Sequence, residues 1–130
     1  MQGTPTRVLI VDDEPAICKA LSIVLSRAGF DVRTALTGDN GIAVIKKEPI
    51  DVLVLDLRVQ EMRGDVIFSL AIAEQPALKH RTLFITGDIS ERADKLIRAC
   101  DCPMLRKPFE LRELISAVTA MAPRARDVSA

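Results

Sequence analysis

The sequence predicts an α/β fold in which helices cover both faces of a doubly wound, five-stranded parallel sheet. Short blocks rich in Val, Ile and Leu alternate with longer blocks whose apolar residues recur at helical spacing. The short blocks are continuously apolar, which is typical of parallel strands that are buried on both faces. A length of 130 residues fits one domain and leaves no room for a second.

The predicted strands share short, apolar stretches bounded by polar or turn-forming residues. In chain order they are Arg7–Val11, Asp31–Ala35, Val52–Leu55, Thr82–Thr86 and about Pro103–Arg106. The third strand is the most apolar and lies between Asp51 and Asp56.

The predicted helices carry apolar residues on one face. In chain order they run from about Pro15 to Ala28, Asp39 to Lys47, Gly64 to Glu74, Ser90 (as cap) to Cys100, and Leu111 to Met121. Pro15 suits a first helical turn, and Gly29 suits a helix end. We therefore predict a domain over residues 1–122, followed by a tail or linker at 123–130, which has no periodic pattern.

Composition excludes several classes of function. The 18 basic residues balance the 18 acidic ones, so no overall charge attracts nucleic acid or an anionic membrane. Tyr and Trp are absent, and no apolar stretch is long enough to cross a bilayer. The three cysteines, Cys18, Cys100 and Cys102, are few and odd in number, which favours reduced thiols. We expect a soluble, cytoplasmic protein without direct nucleic acid or membrane binding.

Polar side chains follow four of the predicted strands. Asp12 and Asp13 follow the first strand, Asp56 the third, Thr86 the fourth and Lys107 the fifth. Taken singly, these residues could be a helix cap, a turn residue, a solvated strand end and a surface cation. Because the carboxyl ends of parallel strands meet at one edge, we expect the side chains to converge there as a ligand site.

Three neighbouring carboxylates repel one another unless a cation lies between them. Carboxylate oxygens without His or Cys prefer Mg²⁺, or Mn²⁺, and Mg²⁺ commonly also binds a phosphate oxygen. Lys107 and the Thr86 hydroxyl could contact such a phosphoryl group, and an ionised aspartate beside Mg²⁺ can attack phosphorus. The residues thus predict an Mg²⁺-dependent phosphoryl site.

From about Arg7 to Met121, the sequence resembles the receiver domain of two-component response regulators. The motifs that carry the resemblance are Asp12-Asp13 after LIV, Asp56 after VLVL, Gly64 eight residues later, Thr86 after LFI, and Lys107-Pro108-Phe109. The resemblance implies a flavodoxin-like receiver fold with strand order 2-1-3-4-5. It also implies a cis peptide bond between Lys107 and Pro108.

The resemblance further implies a role for each site residue. Asp56 would be the phosphoacceptor, and Asp13, Asp56 and the backbone carbonyl of Arg58 would bind Mg²⁺, with Asp12 assisting through water. Thr86 and Lys107 would hold the phosphoryl oxygens, and Gly87 would keep a backbone N–H beside them.

The implied partner is a histidine kinase or hybrid kinase. The implied output face consists of the fourth helix, fifth strand and fifth helix, through which a homodimer could form. Such a domain is a signalling phosphoprotein of a phosphorelay that assists its own phosphorylation and dephosphorylation, and is not an enzyme acting on an external substrate.

Three positions differ from the usual receiver pattern. Val59 and Gln60 replace a Met-Pro pair, and Met104 replaces the aromatic residue that switches position in the family. An unbranched thioether has little preference for either position, so transmission of the signal is less firmly implied than phosphorylation. Arg58 and Asp88 either form an ion pair that partly covers the site or remain two unpaired surface charges.

Other functions compatible with this fold fit less well. A pseudo-receiver that acts as an interaction module without phosphorylation would not need the full acidic set and lysine. A phosphohydrolase would need a general acid where Arg58 stands, and a flavin-binding domain would not place Asp12, Asp13 and Glu14 beside a phosphate. The kinase, the output, the oligomeric state and whether the domain stands alone stay open.

Overall fold

A parallel sheet forms the centre of the protein. The computed structural model describes residues 4–60 and 62–123. Its strands are β1 (Arg7–Val11), β2 (Asp31–Ala35), β3 (Val52–Asp56), β4 (Arg58–Val59), β5 (Met62–Arg63), β6 (Thr82–Thr86) and β7 (Met104–Arg106). The five-stranded sheet has the order β2-β1-β3-β6-β7, and all its pairs are parallel. Strands β6 and β7 are the fourth and fifth strands of the sequence analysis, so the predicted order 2-1-3-4-5 is confirmed.

The helices form a layer on each face of this sheet. They are α1 (Pro15–Arg27), α2 (Gly38–Lys47), α3 (Gly64–Glu74), α4 (Glu91–Cys100) and α5 (Leu111–Met121). Strand β3 contributes side chains to the hydrophobic core on each face of the sheet. Leu53 and Leu55 belong to the core that includes residues of α2, α3 and α4. Val52 and Val54 belong to the core that includes residues of α1 and α5. All five residues of β3 are buried, which explains its continuous hydrophobicity.

Local hydrogen bonds cap the starts of α4 and α2, and the Ser90 cap of α4 is the one that the sequence predicts. The Ser90 hydroxyl accepts a bond from the Ala93 N–H at 3.1 Å and caps α4, and Thr37 caps α2 in the same way through Asn40 N–H at 3.0 Å. Gly29, just beyond α1, has a φ of 99°, a conformation that residues with a Cβ rarely adopt.

Two short elements were not predicted. Strands β4 and β5 form an antiparallel hairpin between β3 and α3, and residues Pro76–His80 form a 3₁₀ helix before β6. Two-residue strands are too short to produce a periodic pattern, so the pairing of Arg58 with Arg63 and of Val59 with Met62 could not be read from the sequence.

Two further expectations concern the tail and membrane-spanning segments. Residues 124–130, most of the predicted tail, lie outside the described residues. In the part that the structure describes, none of the helices has the length and apolar character needed to cross a membrane.

Candidate functional site

The ends of β1 and β3 bring three carboxylates together. These strands are adjacent and in register, with Val11 opposite Leu55, so Asp12 and Asp56 follow side by side. One ligand atom from each of Asp12, Asp13 and Asp56 lies within 4.8 Å of the others. Asp12 is 0% and Asp56 5% exposed, so these charges have little contact with water.

Lys107 lies between the two buried carboxylates. Its Nζ is 2.9 Å from Asp12 Oδ2 and 3.1 Å from Asp56 Oδ2, and Glu14 Oε1 lies 3.5 Å away. The loop after β7 positions it: the Lys107 N–H donates to the Thr86 carbonyl at 2.7 Å, and the Lys107–Pro108 peptide is cis, as the family resemblance implied.

The electrostatics of Lys107 favour its charged form. Burial lowers the pKa of the ammonium, but the hydrogen bond to Asp12 and the negative charges of Asp56 and Asp12 outweigh burial and raise it above the ordinary value. The side chain therefore carries a fixed positive charge beside the carboxylates throughout the neutral range.

The environment of the Asp56 carboxyl disfavours its charged form. Burial, helped by the charge of Asp12, raises its pKa to about 6 despite the lowering effects of the Arg58 N–H and of Lys107. The Arg58 N–H donates to Asp56 Oδ1 at 3.1 Å. Asp56 is thus ionised at neutral pH, but Lys107 and the Arg58 N–H do not fully offset the cost of burying its negative charge. Binding of an additional cation beside it is therefore favoured.

Thr86 connects the site to the start of α4. Its side chain is buried, and Oγ1 accepts a hydrogen bond from the Asp88 N–H at 2.9 Å. Asp88 Oδ1 in turn accepts from the Ser90 N–H at 2.9 Å. Because the Thr86 oxygen is the acceptor in this bond, the hydroxyl proton is still available as a donor.

Arg58 and Asp88 form an ion pair, so the pairing considered in the sequence analysis is confirmed, and its partial covering of the site stays a prediction. Arg58 Nη2 lies 2.7 Å and Nε 2.8 Å from Asp88 Oδ2. The N–H and side chain of Ser90 and the Arg58 guanidinium lower the pKa of Asp88 to about 2. The pair joins strand β4 to the loop after β6.

Two glycines lie close to these residues. A Cβ on Gly64 would lie 2.6 Å from the Asp56 carbonyl oxygen, so only glycine allows α3 to start against the end of β3. Gly87 is exposed, and a Cβ there would meet Lys107 Cβ at an ordinary 4.0 Å. The structure thus places Gly87 beside Lys107 without a spatial need for glycine.

Two supporting contacts were not predicted. Cys18, for which the sequence indicated only a reduced thiol, is 4% exposed, and its thiol donates to the Asp12 carbonyl at 3.3 Å. Burial and the Asp12 charge raise the pKa of this thiol to about 11. Glu14, noted only as part of the acidic run, contacts Lys107. The position of Cys18 on the inward face of α1 was visible in the sequence, but its partner was not.

The donor set fits a hard divalent cation. The clustered ligand atoms of Asp12, Asp13 and Asp56 are all carboxylate oxygens, the type that Mg²⁺ and Mn²⁺ prefer over zinc. The raised pKa of Asp56 also gives the site an electrostatic reason to take up positive charge.

Comparisons with known proteins agree with this geometry. The response regulator receiver domain family matches residues 8–119, and the chain belongs to this family. It is 35% identical over 124 residues to the transcriptional regulatory protein TrcR of Mycobacterium tuberculosis, covering 94% of this chain and 47% of that protein. It is 32% identical over 123 residues to the probable transcriptional regulatory protein TcrX of the same organism, covering 94% of this chain and 52% of that protein.

Solved structures show the same fold. A CheY-like receiver domain protein of Methanospirillum hungatei superposes with a TM-score of 0.83 at 25% identity, covering 90% of this chain and 93% of that one. Chemotaxis protein CheY4 of Vibrio cholerae gives 0.81 at 27% identity, covering 91% and 99%. The predicted family and fold are confirmed, and the chain is a receiver domain of two-component signalling. It spans about half the length of the two curated relatives named above.

Proposed function

We propose that Asp56 accepts a phosphoryl group from the phosphohistidine of a histidine kinase or hybrid kinase, and that the domain is controlled by this modification. The observation that carries the proposal is the buried Asp56 carboxylate with Lys107 Nζ at 3.1 Å and the Asp12 and Asp13 carboxylates beside it. Family membership supports the same chemistry.

In the proposed transfer, an Asp56 carboxylate oxygen attacks phosphorus. The new O–P bond forms as the bond from phosphorus to the imidazole nitrogen breaks, and the departing imidazole takes a proton from solvent. Lys107 already contacts Asp56 Oδ2 and is placed to contact the transferred phosphoryl oxygens. The N–H groups of Arg58 and Gly87 lie on the loops beside them.

Asp13, Asp56 and the backbone carbonyl of Arg58 would hold Mg²⁺, with Asp12 assisting through water; Mn²⁺ suits the same oxygens. When bound, the ion neutralises charge on the carboxylates and on the phosphoryl oxygens. Asp12 retains a second function, since it orients Lys107 through the 2.9 Å contact.

Phosphorylation replaces one negative charge on Asp56 by about two, which strengthens the attraction for Lys107 and for the free hydroxyl proton of Thr86. A shift of Thr86 is passed on through its bond from Asp88 N–H and the Asp88–Ser90 bond to the cap of α4. This route does not pass through residue 104, so it is compatible with Met104 at the usual aromatic position.

The output face would comprise α4, β7 and α5, where a homodimer could also form. Moving a two-state equilibrium from 1:99 to 99:1 needs about 5.5 kcal/mol, and charge-assisted hydrogen bonds of roughly 1.5 to 3 kcal/mol each supply energy of that order.

We propose a cytoplasmic protein that contacts a kinase and does not itself bind nucleic acid, consistent with zero formal net charge. It would act as a phosphoacceptor signalling domain and not as an enzyme on an external substrate.

The decisive experiment is incubation with Mg²⁺ and phosphoramidate, followed by intact-mass measurement. We expect the wild-type chain to gain one phosphoryl group, Asp56→Asn to gain none, and Asp88→Asn, a control outside the carboxylate cluster, to gain one. Omitting Mg²⁺ or adding a chelator should abolish the gain. If the wild-type protein stays unmodified, the chain is better described as a pseudo-receiver that acts by binding alone.

A further inference from the structure

A cavity of about 190 Å³ lies between the β4–β5 hairpin and α4, outside the carboxylate site. Its floor is apolar and formed by Leu57, Ala93 and Leu96. Leu57 is 3% and Ala93 2% exposed, and Leu96 is partly buried against the same core. The described residues that line it do not include Asp56 or Lys107.

Three arginines surround this floor: Arg58, Arg63 and Arg92. Arg58 contacts Asp88, which also lines the cavity, and Arg63 binds Asp65 through Nε and Nη2, both at 3.0 Å. These pairs use two nitrogens of each guanidinium, and the side chains of Arg58 and Arg63 remain 75% and 52% exposed. Both arginines therefore have N–H groups left for a further acceptor.

Arg92 differs from the other two. It is exposed on the first turns of α4 and makes no ion pair with any residue between 4 and 60 or 62 and 123. Among the described residues, Asp65 and Asp88 pair with Arg63 and Arg58, and Arg92 is left without a carboxylate partner. The cavity thus combines an apolar floor with three guanidinium groups, of which Arg92 has no ion-pair partner in the described part of the chain, and we call this cavity the arginine groove.

We infer that the arginine groove binds a short segment of a partner protein that carries a carboxylate next to an aliphatic side chain. Guanidinium groups match carboxylates in charge and planar geometry, and the floor offers apolar contact for the aliphatic group. The cavity is smaller than the roughly 300 to 1,000 Å³ of small-molecule sites, which favours one or two side chains over a cofactor.

An acidic protein segment suits these residues better than nucleic acid does. Nucleic acid would use the arginines, but the lining contains no aromatic side chain on which a base could stack. In a complex with nucleic acid, the three aliphatic residues of the floor would have no apolar group to contact. The inference concerns a surface next to the phosphoacceptor site and does not depend on phosphorylation of Asp56.

The test is fluorescence anisotropy of the unphosphorylated chain with a short labelled peptide of alternating Asp and Leu. Arg92 is the residue to change because, unlike Arg58, it has no place in the phosphoacceptor site. We expect Arg92→Glu to weaken binding by about tenfold or more, and Arg92→Gln to weaken it less. Arg98→Glu, the same charge change on the same helix but outside the cavity, should bind within about twofold of wild type. Circular dichroism verifies that the variants fold.

Two further probes test the chemistry. A peptide with Ser in place of Leu should bind more weakly, because it cannot use the floor. A thymidine oligonucleotide of equal charge should bind more weakly than the Asp–Leu peptide. The inference is overturned if the wild-type chain does not bind the Asp–Leu peptide, if Arg92→Glu and Arg98→Glu lose affinity equally, or if the oligonucleotide alone shows the Arg92 dependence.

Discussion

Lys107 and Arg58 both contact Asp56, Lys107 through its ammonium and Arg58 through its backbone N–H, but the surroundings of the two cationic side chains are very different. The side chain of Lys107 is 19% exposed and contacts Asp12 and Asp56, whose side chains are 0% and 8% exposed. The side chain of Arg58 is 75% exposed and contacts Asp88, which is 14% exposed. Both pairs have short contacts, so distance alone does not distinguish them.

The comparison shows that burial, not contact distance, decides what each cation contributes. Removing one partner of a buried pair leaves the other charge without water or counter-charge, which is costly. Removing one partner of an exposed pair leaves a charge that water can solvate and salt can screen. Lys107 is therefore expected to maintain the site, whereas Arg58 can only modulate it.

The largest expected effect is on stability without divalent ions. Lys107→Met leaves the Asp12 and Asp56 carboxylates unpaired, and we expect the free energy of unfolding at pH 7.5 in chelator to fall by about 3 kcal/mol or more. The matched change Arg58→Met should alter it little. Urea denaturation of both variants measures this, and equal losses would show that burial does not separate the two sides.

A smaller effect of opposite sign is expected for Asp56→Asn. Since the pKa of Asp56 is raised from 3.8 to about 6, the folded state binds its proton more tightly than the unfolded state does. The associated stability is present below pH 4 and is lost as pH rises through about 6. Without divalent ions, the variant should therefore unfold at similar urea concentration at pH 4 but be more stable by up to about 3 kcal/mol at pH 7.5.

Asp88→Asn is the control for this pH dependence, because its sign is reversed. The pKa of Asp88 is lowered to about 2, so its contribution is present above pH 4 and is lost as pH falls through about 2. This variant should be less stable than wild type at neutral pH. A gain in stability for both asparagine variants would mean that their environments do not differ as described.

The smallest expected effect concerns the lifetime of the phosphorylated form. If the Arg58–Asp88 pair partly covers the aspartyl phosphate, Arg58→Ala admits water and should speed dephosphorylation by a factor of about two to ten. Time-resolved intact mass after removal of the phosphodonor measures the rate. Arg63→Ala removes an exposed arginine of the same hairpin as a control, and an unchanged lifetime in Arg58→Ala would exclude the covering role.

Several features of the site could be foreseen from the chain alone, while others could not. The strand ends that carry Asp12, Asp56 and Thr86 follow from apolar blocks of a few residues. The hairpin β4–β5 and the bond from the Cys18 thiol to the Asp12 carbonyl did not follow, because neither produces a periodic pattern. The Arg58–Asp88 pair was one of two open alternatives, since residue spacing does not specify where exposed side chains point.

What the sequence by itself determined is the order of strands and helices and the set of polar residues at the strand ends. Apolar periodicity, caps and turn residues act over short stretches of chain, so they can be recognised without coordinates. Only the tertiary structure decided that the half-buried Lys107 contacts the buried Asp12, 95 residues away, while Arg58 remains exposed. The burial and the electrostatic environment of these two polar side chains arise when distant segments pack together, so neither follows from the local pattern of residues.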